Sequence, residues 1–150
     1  MTDSVLDIHQ KEVIRKALCE SAIKLIGIPY EFGAEWTDLT KLPASIDCSE
    51  LIENVFKLNG LHMPDGSQAQ YNFTVHSPNP TAGDLAFFGR GGKPTEIYHV
   101  GLVLNDNEII EARGFQPNSS FETGKVIIRP LQAWISYKNW IGFQAHPKLT

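Results

Sequence analysis

The stretch IDCSELIENVFKLNG, residues 46–60, holds a helix start, a helix face and a helix stop, and it carries one of the chain's two cysteines. Asp47 is a residue type that caps helices by accepting from free backbone N–H groups of the first turn. Leu51, Ile52, Val55 and Phe56 recur with helical spacing and predict a helix over 49–58 with one buried face. Gly60 suits the left-handed position after a helix, with Leu61 as its apolar partner. Cys48 then lies in the first turn, where N–H groups lack intrahelical partners. A thiol attacks carbonyls as its thiolate, and an ordinary pKa of about 8.5 leaves little thiolate at neutral pH. The positive end of a helix favours the anion. A nearby histidine is the other device that does so.

Upstream, Ile14, Leu18, Ala22, Leu25 and Ile26 form one stripe, with Val13 and Ala17 beside it, and predict a helix over 9–26 that stops at Gly27. Cys19 lies inside it and reads as a packed thiol. Between the two helices, GIPYEFGAEWTDLTKLPAS (27–45) holds no period and reads as loop. Its Tyr30, Phe32 and Trp36 would be costly to expose together, so something must hold the loop in place.

Downstream, a short helix is expected over 67–71, and SPNPTAGD (77–84) is a turn-rich bridge. Then come LAFFG (85–89), YHVGLVL (98–104), EIIEAR (108–113), KVIIRPL (125–131) and WIGFQAH (140–146), short runs rich in β-branched and aromatic residues. NDNE, residues 105–108, reads as a hairpin turn. Helices first and an antiparallel meander of about five strands after them make an α+β layout. No repeat or linker interrupts it, so residues 1–150 are expected to form one domain.

Composition narrows the function classes. The chain has 150 residues, 42% of them hydrophobic and 20% charged, as a globular protein does. A net charge of -4 argues against nucleic acid as a partner. No apolar run approaches the ~20 residues of a membrane span. Cys19 and Cys48 form no CxxC pair, and the five histidines show no ligand spacing, so neither a metal nor a cofactor is expected. MTDSVLDIHQKEVIRK, the first sixteen residues, lacks the basic segment and apolar core of a secretory signal.

His99 is the best-placed base for Cys48. It precedes a mostly apolar run, as in a central strand, and would face the helix start if the sheet packs on that helix. The bland reading is a half-buried structural histidine. A base also needs an orienting group on its other ring nitrogen. Glu111, across the hairpin, would lie opposite or diagonal to His99 in a regular register. Alone it reads equally as an exposed strand carboxylate, and Glu108, nearer the turn, is its rival.

These residues carry a resemblance. DCS (47–49) opening a helix, GDLAFF (83–88), HVGLVL (99–104) followed by IIEA (109–112), and GIPYEFGA (27–34) resemble the NlpC/P60 family of cell-wall cysteine peptidases. The likeness runs from the first helix to YKNWIGFQAH (137–146). It implies a papain-like fold and hydrolysis of peptide bonds in peptidoglycan stems, commonly between D-glutamate and the diamino acid. The implied partner is the stem peptide, and any inhibitor or immunity protein is left unassigned. By the same resemblance Cys48 is the nucleophile, His99 the base, and Glu111 the third polar group, where the family more often has histidine. Tyr30, Asp47 and Ser49 would then lie against the substrate.

Two departures stand out. Glu50 replaces the glycine that usually completes Asp-Cys-Ser-Gly, which suggests a carboxylate beside the site that repels an acidic stem or selects an amine. Ala34 replaces the second glycine of Pro-Tyr-x-x-Gly-Gly, and EWTDLTKLPAS (35–45) looks like extra length. Two rival readings stay open: a wall-binding module without activity, and another papain-like thiol amidase or acyltransferase. The missing leader fits synthesis in the cytoplasm. Action on the wall would follow phage release or delivery between bacteria, or the enzyme would serve recycling in the cytoplasm.

Overall fold

The computed structural model describes residues 5–150; residues 1–4 of the expected domain lie outside the described residues. Among the described residues there are helices α1 (Ile8–Ile23), α2 (Cys48–Leu58), α3 (Ser67–Phe73) and α4 (Leu131–Ile135). The strands are β1 (Val75–His76), β2 (Leu85–Gly89), β3 (Ile97–Val103), β4 (Glu108–Arg113), β5 (Lys125–Pro130) and β6 (Trp140–Ala145). They form one antiparallel sheet in the order β1-β6-β2-β3-β4-β5.

The α+β class holds, with one strand more than expected. β1 is two residues long, too short to leave a period in the sequence. The meander covers β2 to β5 only. Helix α4 then returns the chain across the sheet, and β6 inserts between β1 and β2.

α1 begins with a reciprocal cap, in which Gln10 N–H donates to Asp7 and Asp7 N–H donates to the Gln10 side chain. It ends at Ile23, short of the expected boundary. Ile26 therefore leaves the buried stripe and is 48% exposed, whereas Leu18, Ala22 and Leu25 are buried. α2 starts where Asp47 accepts from Glu50 N–H at 2.8 Å. It ends with Gly60 at φ +77°, Gly60 N–H on the Lys57 carbonyl and Leu61 N–H on that of Phe56.

Leu51, Ile52, Val55 and Phe56 bury against one side of the sheet with Leu85, Phe87, Val100, Leu102 and Ile110. A smaller cluster of Ala86, Phe88, Val103, Ile109 and Trp134 covers the other. Asp84, in the GDLAFF stretch, is a tie between layers: it pairs with Arg15 of α1 at 2.7 Å and accepts from the Ser77 hydroxyl.

Candidate active site

Cys48 is the first residue of α2, where the macrodipole favours an anion. His99 is the third residue of β3, opposite Phe88 at an irregularity in the β2–β3 pairing. On β4, Ile110 faces Leu102 and Ile109 faces Val103. One step further along the same register, Glu111 falls level with Gly101, two residues from His99. That is the diagonal on one face of the sheet, and His99 Nε2 lies 2.7 Å from Glu111 Oε1.

Cys48 lies close enough to the imidazole for its side chain to act, with Glu111, on the protonation of His99. Burial alone would push the His99 pKa down, but hydrogen bonds and charge from Cys48 and Glu111 outweigh it and raise the pKa to about 9. Burial would likewise raise Glu111, and His99 and Arg129 together hold it well below the usual carboxylate range. Chemically, this is a thiol beside an imidazole that readily keeps a proton, oriented by a permanent carboxylate.

The surroundings of Glu111 have little sequence signal. Arg129 of β5 donates from Nε to Oε2 at 2.6 Å and from Nη2 to Oε1 at 3.0 Å. Trp134 Nε1–H donates to Oε2 at 3.0 Å. The fully buried indole also stacks on Phe88 at 4.3 Å and on His99 at 5.3 Å. It reaches this place because β3 has glycine at 101. A Cβ there would stand 2.8 Å from the indole and 2.7 Å from Ile109. Arg129 pairs with Ile109 on β4, which places it diagonal to Glu111, a placement set by the strand register.

The other expected site residues fall in different places. Tyr30 is half-buried, and burial together with the charges of Cys48 and Asp47 pushes its hydroxyl up to about 12. Asp47 caps α2 and also accepts from Gly33 N–H at 3.1 Å, so it ties the loop to the helix start. The Ser49 hydroxyl donates to Asp47 at 3.3 Å. Together Tyr30, Asp47 and Ser49 sit around Cys48.

Glu50 does not. Two residues along a helix turn it about 200° from Cys48. Its buried carboxylate accepts from Trp36 N–H at 2.9 Å and from Asn54 Nδ2 at 2.9 Å. The expectation of a substrate-selecting Glu50 is thus corrected: the carboxylate anchors the 35–45 loop. Trp36, 7% exposed, completes the anchor through Nε1–H bonds to the Asp38 and Lys41 carbonyls. Glu50 and the 35–45 loop are thus one structural unit.

Cys19 packs as a small apolar group, with its thiol near the Val103 carbonyl and its pKa raised by burial. Both cysteines are free. Among the described residues, Glu50, Glu53 and Asp65 bring carboxylate oxygens within 4.8 Å of one another. Glu50 Oε1 accepts from Trp36 and Asn54, and Glu53 is raised to about 7 by burial and by the charges of Glu50 and Asp65. No helix among the described residues is long and apolar enough to cross a membrane.

Residues 27–143 match the sequence profile of the NlpC/P60 family. The chain is 32% identical over 116 residues to the peptidoglycan endopeptidase RipB of Mycobacterium tuberculosis, covering 71% of this chain and 44% of that one. It is 28% identical over 99 residues to the bifunctional muramidase/DL-endopeptidase CwlT of Bacillus subtilis, covering 65% of this chain and 29% of that one. The chain thus spans less than half the length of these relatives. The solved structure of the RipB hydrolase superposes with a TM-score of 0.69 at 23% identity, over 97% of this chain and 72% of that one, and shows the fold.

Proposed function

Because the chain belongs to the NlpC/P60 family of cell-wall cysteine peptidases, we propose that it hydrolyses peptide bonds in peptidoglycan stem peptides, at the bond between D-glutamate and the diamino acid. The observation that carries this reading is the buried His99 imidazole, bonded to Glu111 at 2.7 Å and near enough to Cys48, the first residue of α2, for the two to act on each other. A wall-binding module would need neither contact. The DL-endopeptidase relative supports the choice of bond.

In the proposed reaction His99 takes the proton of Cys48, and the thiolate attacks the scissile carbonyl. Negative charge passes to the carbonyl oxygen, which the Cys48 backbone N–H at the helix start can meet as a fixed donor; one such donor lowers the barrier by about 3 kcal/mol. Collapse of this intermediate breaks the C–N bond, and the imidazolium protonates the leaving amine. Water then enters, with His99 as base, and hydrolyses the thioester. Glu111 holds the imidazole tautomer and stabilises its cation.

Mass analysis of fragments released from purified peptidoglycan tests the reading. Products ending in D-glutamate, with a new free amine on the diamino acid, are expected. Intact stems, or cleavage confined to another bond, would replace it with one of the other thiol chemistries.

A further inference from the structure

The Glu111 cluster contains one arginine more than its carboxylate needs. Arg129 takes both oxygens of Glu111, His99 and Trp134 complete the set, and Arg113 stands only 3.4 Å from Oε1. Its short contact, 2.6 Å from Nη2, is to the neutral amide oxygen of Gln116. Nε is buried and finds no acceptor among the described residues. The side chain is 12% exposed, so water screens this charge poorly. Asp47, the other carboxylate beside the site, is engaged by Gly33 and Glu50 N–H groups. A thiolate–imidazolium pair at Cys48 and His99 adds no net charge. Arg113 is thus the outer cation of the cluster, held to Glu111 by one long bond and with its Nε–H still to be matched.

Arg113 also faces a cavity of about 200 Å³ that is shared with His99. Tyr30, Tyr98 and Tyr137 bring hydroxyl-bearing rings to its wall, and Phe88 adds an apolar one. A space of this size beside His99 admits one amino-acid residue of a bound peptide. We infer that Arg113 is a specificity-determining residue that receives a carboxylate of the substrate residue beside the scissile bond.

The inference rests on the peptidase reading of the same site and sharpens it. A D-glutamyl residue has two carboxyl groups. When one forms the bond that is cut, the other is either a free acid or a primary amide. A free acid can accept two parallel N–H bonds from a guanidinium. A carboxamide offers one oxygen and turns an NH2 donor toward a cation, which leaves donors unmatched in a buried place. The enzyme should accordingly prefer stems whose glutamyl side group is a free acid.

Two measurements on the full chain decide the matter. The first is cleavage of a stem tripeptide carrying the free acid and of its carboxamide counterpart. The second is calorimetric binding of both peptides to the Cys48→Ala protein. Wild type should favour the acid by about tenfold in kcat/KM, with the same preference in binding. Arg113→Gln should bring the ratio close to one through the KM of the acid, and Arg113→Lys should restore part of it. The ratio is independent of how much protein is folded. Cleavage of both peptides without a preference, or a preference that survives Arg113→Gln, overturns the inference while the peptidase reading stands. Preferential binding of the acid without cleavage of either peptide supports the carboxylate site and overturns the peptidase reading. Neither binding nor cleavage overturns both.

Discussion

Arg129 grips Glu111 with two hydrogen bonds, at 2.6 Å from Nε and 3.0 Å from Nη2, on adjacent strands in the buried half of the sheet. Removing one partner of such a pair leaves a charge buried without compensation, which typically costs about 3–5 kcal/mol. Arg129→Met should therefore lower unfolding stability by that order in denaturant titration. It should also move the alkaline limb of kcat/KM to higher pH, because a Glu111 carboxylate freed of its arginine favours the His99 cation more. A stable variant with an unmoved pH profile would show that Arg129 merely packs.

The folded-state pKa of His99 lies above its ordinary value of 6.5, at about 9. Its contribution to stability is whole below pH 6.5 and fades as pH rises through about 9. Glu111 is shifted the other way, so its contribution is whole above its ordinary value of 4.5 and is lost as pH falls through about 2. Activity should follow the first of these at its alkaline end, with a limb near pH 9 as the imidazolium loses the proton destined for the leaving amine. Glu111→Gln should shift that limb to lower pH and reduce kcat/KM by about a hundredfold. An unshifted limb in this variant would assign the orientation of His99 to another group.

Glu50→Gly restores the residue that the family pattern has here. In this chain it removes the acceptor of Trp36 N–H and of Asn54. Leaving these buried donors unmatched should cost about 1–3 kcal/mol and expose the 35–45 loop to proteolysis. Limited proteolysis checks this: an unchanged cleavage rate in the loop would mean that Trp36 burial alone holds it.

The two cysteines are almost equally covered, Cys48 at 9% exposure and Cys19 at 8%. Access therefore does not separate them, and any difference in reactivity reports thiolate character. Burial raises the pKa of Cys19. Iodoacetamide at neutral pH should label Cys48 much faster, as peptide mapping would show. Equal labelling would remove the case for an activated thiol.

Local signals made much of this legible. A cap residue, a four-residue apolar face and a terminal glycine are short-range features, so α2 and the place of Cys48 could be read from residues 47–60. His99 and Glu111 were readable because a hairpin of known polarity limits their register to opposite or diagonal. Arg129 and Trp134 were not, since β5 and α4 meet Glu111 only when residues 18 and 23 positions further along the chain are folded back. Glu50 was misread for a related reason. Nearness in sequence to Cys48 suggested the site, but helical rotation turns the side chain toward the loop. β1 was missed because a two-residue strand has no period.

The most direct measurement is the initial rate of stem-peptide hydrolysis by wild type, Cys48→Ala and Cys19→Ala, with folding of each checked by thermal unfolding. No turnover is expected for folded Cys48→Ala, and a wild-type rate for Cys19→Ala. Hydrolysis by the folded Cys48→Ala protein at a rate comparable to wild type would contradict the assignment of Cys48 as nucleophile.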